Sequence, residues 1–482
     1  MEDNFNESQR PVNPRRKSRS QMQVIKEAYL PTIIIAVAAI LTIVFIAGSI
    51  TRASQKKEFQ KEAIAASNAA VEAEKARYEQ EANELIAKAD ILLKQYDYQG
   101  AIELLNSFSG DLSEYIQVND KILECERAQK TTVEWNDLSK IPNLSFQLLI
   151  ADPARAFKYA GWSNSINRNF VTTGEFSKIL QQMYENGYVL VDFDDFITTE
   201  TNASGKTVYK AKSMYLPSGK KPFMLTQTNV NYNYYLIDSD NDHKADAKGG
   251  GFASKLLWDG ENFTNEMVDA TGKTVTGDYD LVPILEKFIA AHPDFSYRGA
   301  RANLALTGHN GLLGYRTHPA YEEHPQASAI FGQAQYNKDK QDAAAVIQAL
   351  RDRGYTVSCY TYSNISYQDA DLGLIKSNLQ SWKDSVTPIL GDTQVLTYAQ
   401  GGDIAAKGAY SGEKFDTLQN FGFRYYLGFC EDGKPWTVVK DNYVRQGRIL
   451  VSGSNLAYHS DWFNGMFKAS TVLDSTRGTI PN

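Results

Sequence analysis

The chain has 482 residues, too many for one ordinary domain, and its 43% hydrophobic and 22% charged content excludes an intrinsically disordered protein. A net charge of −7 offers no electrostatic footprint for nucleic acid, so no nucleic-acid partner is expected. Cys125, Cys359 and Cys430 lie far apart without metal-ligand spacing, which excludes a disulfide framework.

Taken in chain order, residues 1–29 read as a basic tail, with Arg10, Arg15, Arg16, Lys17, Arg19 and Lys26. From Leu30 to Ile50 no residue is charged, and at helical rise this run matches the ~30 Å hydrocarbon thickness. The spacing predicts one transmembrane helix over 30–50, too long for a signal peptide. The preceding cations place the N-terminus in the cytoplasm and the rest outside, at the plasma membrane, although Arg52, Lys56, Lys57 and Lys61 oppose that bias.

Residues 51–82, rich in Ala, Glu, Lys and Gln without Gly or Pro, predict a helical stalk able to pair as a coiled coil. Over 83–130 the apolar spacing strengthens. Leu85, Ala89, Leu92 and Leu93, then Ala101, Leu104 and Leu105, predict two amphipathic helices joined around Tyr98-Gln99-Gly100. The hairpin is tetratricopeptide-like. Such a unit cannot bury its face alone, so it either packs on its neighbour or captures a protein partner.

From residue 140 to 482 the texture becomes strand alternating with helix. LSFQLLIAD, GYVLVDFDD, KPFMLTQTN, ANLALTG, YTVSCYTYS, TQVLTYAQG, FRYYLGF and GRILVSG read as strands. TGEFSKILQQMYENG, DLVPILEKFIAAHP and KQDAAAVIQALRDRG read as helices. The alternation predicts an α/β domain built on a mostly parallel barrel, with any site at the C-terminal strand ends.

Over roughly 140–482 the chain resembles the metal-dependent polysaccharide deacetylases, in their membrane-anchored, clostridial-type branch. The resemblance is carried by FQLLIADPARAF (146–157), TTGEFSKILQQMYENGYVLV (172–191), KPFMLTQTNVNYNYY (221–235), the segment 279–317 and GYTVSCYTYSN (354–364). It implies a distorted (β/α) barrel that removes N-acetyl groups from envelope sugars. In that family an aspartate and two histidines hold a divalent cation, a second aspartate is the base and a later histidine the acid.

At the matching positions this chain departs from the pattern. Thr228 stands at the base position, and Asn229, Tyr360 and Asn364 at the metal positions. Gln147 replaces an expected histidine, Tyr398-Ala399-Gln400-Gly401 lacks its proline, and 448–456 offers no histidine as acid. A neutral amide replaces carboxylate charge poorly, and a phenol with pKa near ~10 ligates a divalent ion weakly. The expectation is a catalytically inactive pseudoenzyme that binds a cell-wall or capsular glycan, with no cofactor at the ancestral site.

Tyr232, Tyr234, Tyr235, Tyr362, Tyr398 and Gln400 are the candidates to line a glycan groove, with rim packing as the bland alternative. Two other readings stay open. An active hydrolase could use displaced ligands from His309, His318, Glu322, Glu323 and His324, and an envelope scaffold could act through the 83–130 hairpin. Asp238, Asp240, Asp242 and Asp246 alternate as in a calcium loop, though an acidic surface insertion explains them equally. Asp192-Phe193-Asp194-Asp195 reads as a helix cap.

Overall fold

The structure, a computed structural model, describes residues 53–323 and 332–481 together with Ile35, Ala38 and Ala39. The membrane-span expectation over 30–50 therefore lies outside the described residues, apart from those three helical positions. Among the described residues no helix is long and apolar enough to cross a membrane.

Two compact units are present. The first runs to Glu84 and adds Phe108–Tyr115. Its helix is the start of α1 (Ala53–Lys94), and Tyr78, Phe108 and Tyr115 form an edge-on aromatic trio at its end.

The second unit holds Leu85–Ser107 and everything from Ile116. Its hairpin pairs α2 (Tyr98–Asn106) with α3 (Ile116–Lys130). The expected joint at Tyr98-Gln99-Gly100 is displaced. The turn is 95–97, and Asp97 caps α2 by accepting from the Gly100 amide, so those three residues form the first helical turn.

Seven strands close a barrel: β1 (Asn143–Phe146), β2 (Lys221–Thr228), β3 (Asn303–Leu306), β4 (Thr356–Cys359), β5 (Val395–Thr397), β6 (Tyr425–Phe429) and β7 (Tyr443–Leu450). Each pairs in parallel with its successor, and β7 returns to β1 with Arg448 opposite Asn143. All seven segments were expected as strands. The eighth, Tyr188–Leu190, pairs with the start of β2 outside the ring. Helices α4 (Thr173–Glu185), α5 (Leu281–Ala291), α6 (Gly332–Asp352), α7 (Leu372–Ser385) and α8 (Glu413–Phe421) fill the connections. Helix α4 begins with a capping box between Thr172 and Glu175.

The lumen is graded along its axis. At the N-terminal strand ends Ile141, Met224, Val395, Tyr425 and Val444 form an apolar plug, joined by Tyr96 and Tyr98 of the hairpin. Above it runs a polar layer. Asn143 donates to Gln446 at 2.9 Å and accepts from Thr226 at 2.8 Å, and Asn303 donates to Thr397 at 3.1 Å. The hairpin docks beneath the plug. Tyr96 stacks on Tyr297 and donates to the Asp294 carbonyl at 2.8 Å, while Asp97 pairs with Arg298 at 2.8 Å. Its apolar face is thus used within this unit, as the packing alternative anticipated.

Asp192 and Asp195 form a capping box near the plug rather than a reactive pair. Burial, with the added repulsion of Asp194 on Asp192 and of Asp192 on Asp195, pushes them up to about 6 and about 8. The C-terminal segment is pinned by Arg477, which meets Glu175 at 2.6 Å with both side chains out of water.

Two outcomes are expected in equilibrium urea unfolding. Glu175→Gln leaves the Arg477 charge without its counter-ion and costs ~3 kcal/mol or more. Both raised aspartates sit above their unfolded value of ~3.9, so the folded state favours the protonated form. Stability therefore increases as pH falls from about 8 towards ~4, and Asp195→Asn flattens the upper part of that slope.

Candidate functional site

The C-terminal strand ends open on loops whose backbone is unusually constrained. Asn229 and Tyr232 after β2, Thr361 and Asn364 after β4, and Gln400 after β5 all have φ between 51° and 60°. Non-glycine residues rarely occupy this left-handed region, and such strain concentrates at ligand sites.

What holds the loop after β2 is buried polar pairing. Asn231, wholly buried, donates to the Thr307 carbonyl at 2.7 Å and accepts from its amide at 3.0 Å. Asp280, just before α5, accepts from the Leu149 amide at 2.9 Å, Gln227 Nε2 at 2.7 Å and the Tyr232 hydroxyl at 2.7 Å. Burial still pushes its carboxyl up to about 6, against the pull of these donors. Sequence reading passed over Asp280 because its partners are remote in the chain.

Thr228, Asn229, Tyr360 and Asn364, singled out in the sequence, stand around the same opening. Thr228 ends β2 and donates to the Phe146 carbonyl at 3.2 Å. Next to it, Asn229 accepts from Asn233 Nδ2 at 3.2 Å. The Tyr235 phenol lies against both amides and near Tyr360, and burial raises it. Tyr360 accepts from the Gln400 amide at 3.0 Å, and Gln400 Nε2 donates to the Asn364 carbonyl at 2.9 Å. Two carboxamide oxygens here, Asn233 Oδ1 and Asn364 Oδ1, are buried without a donor. These residues do not fit a divalent cation. The Asn229 oxygen already takes an amide N–H, Tyr360 takes a backbone N–H, and no carboxylate or imidazole stands among them.

Of the tyrosines proposed for the groove, three are corrected. Tyr232 is 1% exposed with its hydroxyl on Asp280, and Tyr398 is wholly buried, accepting from Tyr410 at 3.2 Å. Tyr234 is buried beneath the Arg316 guanidinium, 3.8 Å from its ring centre. None offers a face to a ligand. Tyr235 and Tyr362 remain half-buried and Gln400 exposed. Sequence reading missed Trp162, which is 41% exposed and stacks on Tyr235 with centroids 5.0 Å apart at 29°.

His309 and His318 sit beyond β3; burial depresses both, and the His309 charge lowers His318 further. His318 lies 5.9 Å from Tyr362, ring to ring. His324 falls outside the described residues. Within the acidic loop Asp238, Asp240 and Asp246 bring ligand oxygens within 4.8 Å of one another, the only such three-ligand cluster among the described residues. Asp242 stands apart and pairs with Lys244 at 3.8 Å. The loop's own amides already engage the cluster. Asp238 accepts from Asn241 and His243, and Asp246 from Ser239 and Lys248, at 2.6–2.8 Å.

No family model matches the chain, and no curated protein matches it. Among solved structures it is similar to a Streptococcus pyogenes deacetylase, PplD, in complex with acetate. The superposition covers 68% of this chain and 95% of that one, at 12% identity and a TM-score of 0.31. The closed parallel barrel is established by the strand pairing itself.

Proposed function

We propose that the chain is a membrane-anchored, extracytoplasmic, polysaccharide deacetylase-like protein that binds cell-envelope glycan at its barrel mouth and no longer hydrolyses it. The observation that carries this reading is the pairing of the Trp162–Tyr235 stack with the donorless oxygens of Asn233 and Asn364. An aromatic platform takes the apolar face of a pyranose ring, and buried acceptors call for hydroxyl or amide donors such as a sugar carries. Loss of chemistry rests on the same mouth. Thr228, Asn229, Tyr360 and Asn364 supply neither the charge to hold a metal nor a base of suitable pKa.

The anchor is part of the proposal and rests on the uncharged run 30–50. A calcium role for 238–246 would be structural, since the loop's amides already satisfy much of its carboxylate capacity.

The purified full-length chain should bind N-acetylated envelope oligosaccharides in calorimetry. Trp162→Ala should weaken that binding about tenfold, the equivalent of ~1.4 kcal/mol, with little change in Tm because the ring is exposed. No acetate should be released with added zinc or cobalt. Acetate release that is abolished by His309→Ala or His318→Ala would establish the displaced-ligand hydrolase instead. Alkaline carbonate washing should leave the chain in the membrane pellet, and a variant lacking 30–50 should be released.

A further inference from the structure

Among the described residues five arginines are buried, and two of them, Arg316 and Arg448, have no carboxylate within ion-pair distance. Arg316 lies over the Tyr234 ring and donates to the Tyr232 carbonyl at 3.0 Å. Arg301 pairs with Glu286, Arg445 with Asp403 and Arg477 with Glu175, at 2.6–2.8 Å. Arg448, on β7, is wholly buried, yet among the described residues no carboxylate lies within ion-pair distance of it. Of its five N–H donors, Nη1 reaches Ser145 Oγ at 2.8 Å and Nη2 the Tyr398 carbonyl at 2.9 Å, while Nε has no partner. The Phe429 ring covers it at 4.6 Å, which attracts the cation without neutralising it.

Its position is fixed by the register. Ser145 is one residue from Phe146, whose carbonyl accepts from Thr228. Tyr398 precedes Ala399, which packs with Ala305 and Tyr360. Arg448 thus belongs to the top layer of the lumen, under the residues aligned with the family's metal site, and its charge interacts with Tyr360. A buried charge without a counter-ion is costly, and the bonds to Ser145 and Tyr398 are made to neutral groups. Thr228, Asn229, Tyr360 and Asn364 above it are neutral, so none of these four places an opposing charge between it and a ligand in the mouth.

We propose that the mouth has exchanged the sign of its central charge, and that Arg448 selects an acidic, carboxylate-bearing saccharide over its neutral counterpart. This rests on the glycan-binding reading and adds the charge class of the ligand. Low-dielectric walls focus the guanidinium's field toward the opening, so selection does not require the carboxylate to touch the buried group.

The test compares, on the full-length chain at low salt, a disaccharide bearing the lactyl carboxylate of muramic acid with the same disaccharide reduced to the alcohol at that carboxyl. The acidic form should bind at least tenfold tighter, and the preference should shrink at 1 M salt. Arg448→Met should equalise the two ligands, and Arg448→Lys should keep the acidic preference. The ligand pair needs no variant, so the proposal remains testable should Arg448→Met fail to fold. Equal binding of both disaccharides to the unaltered chain overturns the inference and leaves glycan binding standing. Binding of neither removes both.

Discussion

Closure of the ring by β7 against β1 is the constraint on which the rest of the unit depends. Closure into a ring fixes the stagger of the strands, so the last strand meets the first in one register. That register brings Gln446 and Arg448 to the same wall as Asn143 and Ser145, and it forces polar side chains into a lumen without free water contact. The lumen meets the cost by pairing them across the axis. Apolar packing is left to the plug at one end and to the outer helices.

The two ends of the barrel therefore have different physics. One is a greasy stopper shared with the hairpin. The other is a polar opening whose loops are held in left-handed conformations by buried side chains such as Asn231 and Asp280. Rigid loops over a polar floor favour recognition, because little ordering entropy remains to be lost when a ligand arrives.

Much of this frame was legible in the sequence. Each barrel strand is a short apolar run between turn residues, and parallel strands buried on both faces write themselves that way. The antiparallel hairpins were not legible. Ile197–Thr201 and Thr207–Ala211 are largely exposed and rich in Thr, Lys and Glu, so they carry little apolar signal. The three strands within 255–277 alternate mostly between buried and half-buried positions over runs of only four to six residues. At the site, the resemblance singled out Thr228, Asn229, Tyr360 and Asn364, which stand at or just beyond the C-terminal ends of β2 and β4. It did not reveal which tyrosines face outward. Tyr232 and Tyr398 sit at strand ends yet turn inward, to the Asp280 carboxylate and the Tyr410 hydroxyl, and Trp162 gains its place through a stack with a residue far along the chain. The direction of a side chain on a loop is a tertiary property.

The docking of Tyr96 and Asp97 beneath the plug has a directional consequence. The polypeptide enters the barrel from behind, at the end remote from the opening. Within this unit the hairpin closes one end of the ring and leaves the other to the loops after β2, β4 and β5, so a molecule that reaches the lumen meets those constrained loops first.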